Sequence, residues 1–158
     1  MIGRVIPPLL LLLLSLFALS PPAAAEGSSP VVFGQGELTL ATTGGAKFHF
    51  SIEIAETEDQ LHQGLMFRDS MPADAGMLFL LGTEQIASFW MRNTFLPLDM
   101  VFIARDGRVT NIHHDAAPGS TAIISSTAPV TGVLELNGGV AARLGIHAGD
   151  RVIHPAFP

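Results

Sequence analysis

Between Lys47 and Ile54 the side chains alternate without a break. Phe48, Phe50, Ile52 and Ile54 fall on one side, and Lys47, His49, Ser51 and Glu53 on the other. A period of two is the mark of a strand with one buried face. Leu38 and Leu40 alternate in the same way just before it, and Gly44-Gly45 supplies the turn of an antiparallel hairpin. The apolar runs that follow, Met77 to Leu81, Ile86 to Met91 and Leu98 to Ala104, are short, nearly continuous and separated by turn residues. Runs of that kind fit strands buried on both faces better than helices. Asp106-Gly107 predicts a hairpin turn into Val109 to Ile112. Ala122 to Ser125, Val133 to Leu136 and Arg151 to His154 read as further strands, with turns at Asn137-Gly138-Gly139 and Gly149-Asp150.

Two short helices interrupt this pattern. Thr57-Glu58-Asp59-Gln60 is a capping box with two acids in the first turn, where they suit the helix dipole. Gly64 ends that helix after about two turns. Val140 to Leu144 makes a second, closed by Gly145. Asp69 to Ala75, with Pro72, reads as loop. Short strands with turns at close intervals argue for one mainly β domain over residues 37–158, an antiparallel β-sandwich or jelly-roll-like barrel with one or two short helices.

The N-terminus reads as an address. Arg4 precedes an apolar stretch from Leu9 to Leu19, and Ala23-Ala24-Ala25 is a small-residue cleavage site ahead of Glu26. The stretch is shorter than the about 20 residues a membrane span needs. Residues 1–25 are therefore expected to be a cleavable signal peptide and 26–36 a flexible leader. The mature protein is expected to be periplasmic or extracellular, monomeric, and without a membrane span.

Composition removes several function classes. Lys and Arg total 8 against 14 Asp and Glu, and Arg4 leaves with the signal, so the mature chain is acidic and has no basic cluster. That speaks against nucleic acid and anionic lipid surfaces. The absence of cysteine excludes disulfides, thiol catalysis and thiolate metal sites. No histidine pair has metal-ligand spacing, and Met66, Met77, Met91 and Met100 read as plastic core filler rather than a copper site. No metal and no cofactor is expected. No serine stands in a G-x-S-x-G elbow, and Pro118-Gly119-Ser120-Thr121 lacks the lysine of a phosphate loop.

Several blocks are distinctive: Glu53-Ile54-Ala55 with Thr57 and Gln60, Gly64-Leu65-Met66-Phe67-Arg68, and Gly76-Met77-Leu78-Phe79. With them stand Phe89-Trp90-Met91-Arg92-Asn93-Thr94, Pro97-Leu98-Asp99, Val133-Leu134-Glu135-Leu136 and Gly149-Asp150-Arg151-Val152. In these the chain resembles the family called domain of unknown function 192, with Arg92 where that family often has lysine. The resemblance implies a compact, jelly-roll-like β-sandwich with a short helix after the early hairpin, and it implies no activity.

The candidate site lies around the only tryptophan. Alternation puts Trp90 and Arg92 on one face of their strand, and Asn93-Thr94 leave it in a turn stiffened by Pro97. Asp99 and Glu135 each sit in an otherwise apolar strand, where a buried carboxylate must find a partner or become neutral. Arg68 and Arg92 are the expected partners. The binding reading is a cleft walled by Trp90, with Arg68, Arg92, Asn93 and Thr94 as polar contacts and Asp99 and Glu135 as acceptors. Such a cleft suits a small polar ligand or an envelope glycan, and the protein then serves as a binding or accessory module. One alternative is a hydrolase using Asp99 and Glu135 as paired carboxylates, which requires them about 5 to 10 Å apart across a cleft. The other is a structural protein-interaction module, in which these groups form an ion-pair network that fixes strand register.

Overall fold

The structure, a computed structural model, describes residues 30–158; the expected signal peptide lies outside them. Nine strands and two short helices follow one another in the order β1 (Gly34–Ala41), β2 (Lys47–Ala55), α1 (Glu58–Gln63), β3 (Ala75–Gln85), β4 (Ser88–Phe89), β5 (Leu98–Ile103), β6 (Val109–Ala116), β7 (Ile124–Ser125), β8 (Val130–Asn137), α2 (Val140–Leu144) and β9 (Arg151–Ile153). The mainly β class expected from the alternating runs is the observed one. Ordered structure reaches further toward the N-terminus than the leader reading allowed, since β1 starts at Gly34 and Phe33 is already buried.

Seven strands form one sheet in the order β6-β5-β8-β3-β2-β1-β9, and β4 pairs with β7 in a small second sheet. The sheet curls until its ends meet. Val109 N–H donates to the Asp150 carbonyl at 2.8 Å, and Val152 N–H donates to the Gly107 carbonyl at 2.8 Å. Gly107 holds φ +82° at this closure, and a Cβ there would lie 2.5 Å from the Val152 carbonyl oxygen. Only glycine satisfies both demands.

One pairing departs from the antiparallel expectation: β2 and β3 run parallel. Parallel neighbours require a crossover rather than a tight turn, and here the crossover carries α1 over the outer face of the sheet. The helix starts at Thr57 with both halves of the capping box formed and stops at Gly64. Its partly buried Leu61, with Leu65 just beyond it, packs toward Met77 and Phe79.

The result is two cores on opposite faces of one sheet. The enclosed core holds Leu40, Ile52, Leu78, Val101, Leu134 and Leu136. The outer core holds Met77, Phe79, Met91, Met100, Phe102 and Val133 beneath the cover of α1 and the β4–β7 ribbon. Strands β3, β5 and β8 feed both by alternation, which is why β5 is buried at every position and reads in sequence as a continuous apolar run.

Asp99 faces the enclosed side. It is fully buried, and its partners are backbone amides rather than the arginines expected. Oδ1 accepts from Asp115 N–H at 2.8 Å and Gly139 N–H at 3.1 Å, and Oδ2 accepts from Ala141 N–H at 2.7 Å. The carboxylate thereby meets the free amides at the start of α2 and ties that helix over the end of the barrel. Asp99→Asn is expected to lower the unfolding free energy by roughly 2–4 kcal/mol in urea titration. It removes the charge from three hydrogen bonds and turns an amide N–H₂ toward backbone donors.

Candidate functional site

Strand β8 presents Glu135 to the outer core. Its neighbours across the ladders are Met77 on β3 and Met100 on β5, both fully buried. Glu135 is 4% exposed, and no hydrogen-bond donor or cation among the described residues reaches its carboxyl. Desolvation alone therefore raises its pKa to about 8. At neutral pH the group is mostly a protonated, neutral acid.

The space in front of it is a cavity of about 330 Å³ between the sheet and its cover. Leu61, Leu65 and Met66 line it from α1 and the following turn, Phe79 and Leu81 from β3, and Phe89 and Trp90 from β4 and its continuation. Phe79 and Phe89 stand edge to face, 5.1 Å apart at 88°. Besides Glu135 the polar lining comes from His62, Gln63, Ser88 and Thr94. Apolar walls with a few convergent polar groups are the usual make-up of a small-molecule pocket, and the volume falls at the lower end of the usual range.

The backbone beside this cavity is held in an unusual shape. Phe67 and Asn93 adopt φ values of 65° and 56°, a left-handed conformation uncommon for Asn and an outlier for a bulky Phe. The Phe67 amide donates to the Asn93 carbonyl at 2.9 Å, joining the turn after α1 to the segment after β4. Two non-glycine residues held in this way mark a strained loop pair next to the cavity. Phe67 and Phe95 then meet edge to face on the surface, 63% and 54% exposed.

The residues singled out from sequence divide into two groups. Trp90, Thr94 and Glu135 line the cavity together. Trp90 is 40% exposed, so it is neither the core tryptophan of the structural alternative nor part of a buried strand. The expected strand from Ile86 to Met91 shrinks to Ser88–Phe89, and Ile86 is exposed. Arg92 is exposed and places its guanidinium 5.7 Å from the Trp90 ring centroid. Asn93 contributes its carbonyl to the loop contact rather than its amide to the cavity. Arg68 is elsewhere: it pairs with Glu53 and lies 5.5 Å over the Phe33 ring.

Asp99 is outside the cavity as well. In the β5–β8 ladder it pairs with Leu136, and Met100 pairs with Glu135. Directly opposed residues share a face and their chain neighbours take the other, so Asp99 and Glu135 lie on opposite faces of the sheet. They cannot flank one bond, which removes the paired-carboxylate hydrolase. The expected ion-pair network of Arg68, Arg92, Asp99 and Glu135 does not form either, because each of the four has a different environment. The wall residues Leu61, Leu65, Phe79 and Phe89 are not among those the sequence singles out as a site. The β3–β8 register puts Phe79 on the same face as Glu135, and no sequence signal gives that register.

The profile of the family DUF192, described as Uncharacterized ACR, matches residues 39–154. A solved structure from Sinorhizobium meliloti 1021, described as a candidate transcription regulator, is 43% identical with a TM-score of 0.79 and covers 82% of this chain and 100% of its own. A protein of unknown function from Novosphingobium aromaticivorans DSM 12444 is 41% identical with a TM-score of 0.75, covering 84% of this chain and 94% of its own. No curated protein matches.

The unfolded chain loses the Glu135 proton near the ordinary value of 4.5, while the folded chain keeps it to about 8. Stability is therefore undiminished below the lower value and falls as pH rises through the window between them. Glu135→Gln keeps the shape without the charge. Its stability relative to the parent is expected to climb by about 1.4 kcal/mol per pH unit across that window, read as paired chemical denaturation curves. Parallel curves for the two proteins would show that Glu135 ionises freely.

Proposed function

Because the chain belongs to the DUF192 family, whose description names no activity, we propose a function from its cavity: an exported binding module for a small molecule, with Glu135 as the polar end of the site. One observation carries this reading. Glu135, with no partner among the described residues, opens onto a cavity whose walls are mostly apolar and aromatic, with His62, Gln63, Ser88 and Thr94 as the other polar lining. Such a group costs stability that a leucine or methionine in its place would not, and a bound polar group that pairs with it would offset that cost.

The same lining favours a ligand with an apolar body and one polar group over a glycan. A sugar ring needs several planar polar partners beside its aromatic platform. Arg68, held by Glu53, and Asp99, on the other face, do not supply them. A role in transcription regulation, the description given to the S. meliloti relative, has less support if it needs nucleic-acid contact, since carboxylates outnumber basic residues and no basic cluster is present in the sequence. No helix among the described residues is long and apolar enough to cross a membrane. The export part of the proposal rests on the leader ahead of Glu26.

Two readouts test the proposal together. Expressed from its full sequence in a Gram-negative host, the protein is expected in the periplasmic fraction with Glu26 as its first residue; uncut cytoplasmic protein would remove export. Members of a library of small compounds with one polar group are expected to shift Trp90 fluorescence and raise the melting temperature. Ser88→Phe, which fills the cavity from an exposed position, is expected to abolish both shifts. Compounds that bind the parent and this variant equally would place binding elsewhere.

A further inference from the structure

The cavity is one-sided in its chemistry. Among the residues that line it, only Glu135 and His62 are titratable, and none is lysine or arginine. Phe79 and Phe89 stand at right angles and Trp90 joins them. Ring faces carry the negative lobe of the aromatic quadrupole, so aromatic walls can hold a cation, while no lysine or arginine is there to hold an anion. The fold already seats cations on rings twice, Arg92 at 5.7 Å from Trp90 and Arg68 at 5.5 Å from Phe33. A net charge of -6 favours the approach of a cation.

Resting on the binding-module reading, we infer that the site takes the ammonium group of a small organic amine, held between the Glu135 carboxylate and the rings of Phe79, Phe89 and Trp90. Glu135 gives up its proton to solvent as the ammonium enters, so an unpaired neutral acid becomes one half of a buried, aromatic-walled ion pair. The volume of about 330 Å³ suits an amine with a single ring or a short chain. Among the described residues no lysine or arginine competes for the carboxylate: β3 and β5 present Met77 and Met100 to it, α1 contributes His62 and carries Glu58 and Asp59 in its first turn, and Arg92 lies on Trp90.

Calorimetry with three probes of one shape decides the matter: phenethylammonium, 2-phenylethanol and phenylacetate, titrated into the mature protein. The ammonium is expected to bind at least about tenfold tighter than the alcohol, a difference of ~1.4 kcal/mol, and the carboxylate not at all. Repeating the ammonium titration near neutral pH in buffers of different ionisation enthalpy is expected to show proton release. Glu135→Gln should abolish that release and cut ammonium affinity about tenfold, leaving the alcohol within roughly twofold. If the alcohol binds as tightly as the ammonium, or proton release persists in the variant, the amine inference falls while the pocket stands. Failure of all three probes to bind overturns it together with the pocket reading.

Discussion

Asp99 accepts three backbone N–H groups inside the barrel, and that capture joins β5 to the end of β6, the turn after β8 and the first residues of α2. Asp150 does the same on a smaller scale, accepting Thr43 N–H at 2.8 Å and His147 N–H at 2.7 Å beside the closure of the sheet. Both carboxylates are buried, and both bring together segments far apart in the chain that no side-chain pair would connect. Charge-assisted bonds to fixed amides are strong and short, so each acid works as a cross-brace for loops. Glu135 is the exception that gives the molecule its site. It is as deeply placed, yet no amide is directed at it, and it keeps its proton instead.

That difference follows from topology. The enclosed face of the sheet ends in loops whose free amides surround any carboxylate near the rim. The outer face is covered by a helix and a two-stranded ribbon, whose backbone groups are already paired or exposed. The parallel β2–β3 pair forces α1 across that face, and the segment after β4 leans against the turn after α1 through Phe67 and Asn93. The cavity is what remains between a sheet and a cover too short to fill it. An acid at its floor finds Met77 and Met100 beside it and aromatic rings along the cavity wall.

Much of the architecture was legible in the sequence because it rests on local rules. The alternation of Lys47 to Ile54, the capping box at Thr57 and the glycine turns are each set by neighbours a few residues away. What was not legible is non-local. The parallel pairing of β2 with β3 depends on which edge β3 finds, and the opposite orientation of Asp99 and Glu135 depends on the β5–β8 register. The partners of Asp99 are backbone amides, which no composition reveals, rather than side-chain cations. Trp90 and Glu135 were visible as an isolated aromatic and an isolated acid in apolar surroundings. The walls between them were hidden because an apolar lining and an apolar core look alike in one dimension.

The site depends on Glu135 being a neutral acid facing an aromatic-walled cavity, and that state is directly measurable. Labelling glutamate side chains with ¹³C and following the Glu135 carboxyl resonance through a pH titration, assigned by its loss in Glu135→Gln, reads the protonation of this one group. The resonance is expected to stay in its protonated position at neutral pH and to move with a midpoint near 8. A midpoint in the range of ordinary exposed glutamates would contradict the account, because it would mean that water or an unseen donor already serves the carboxylate and the cavity holds no unmet charge.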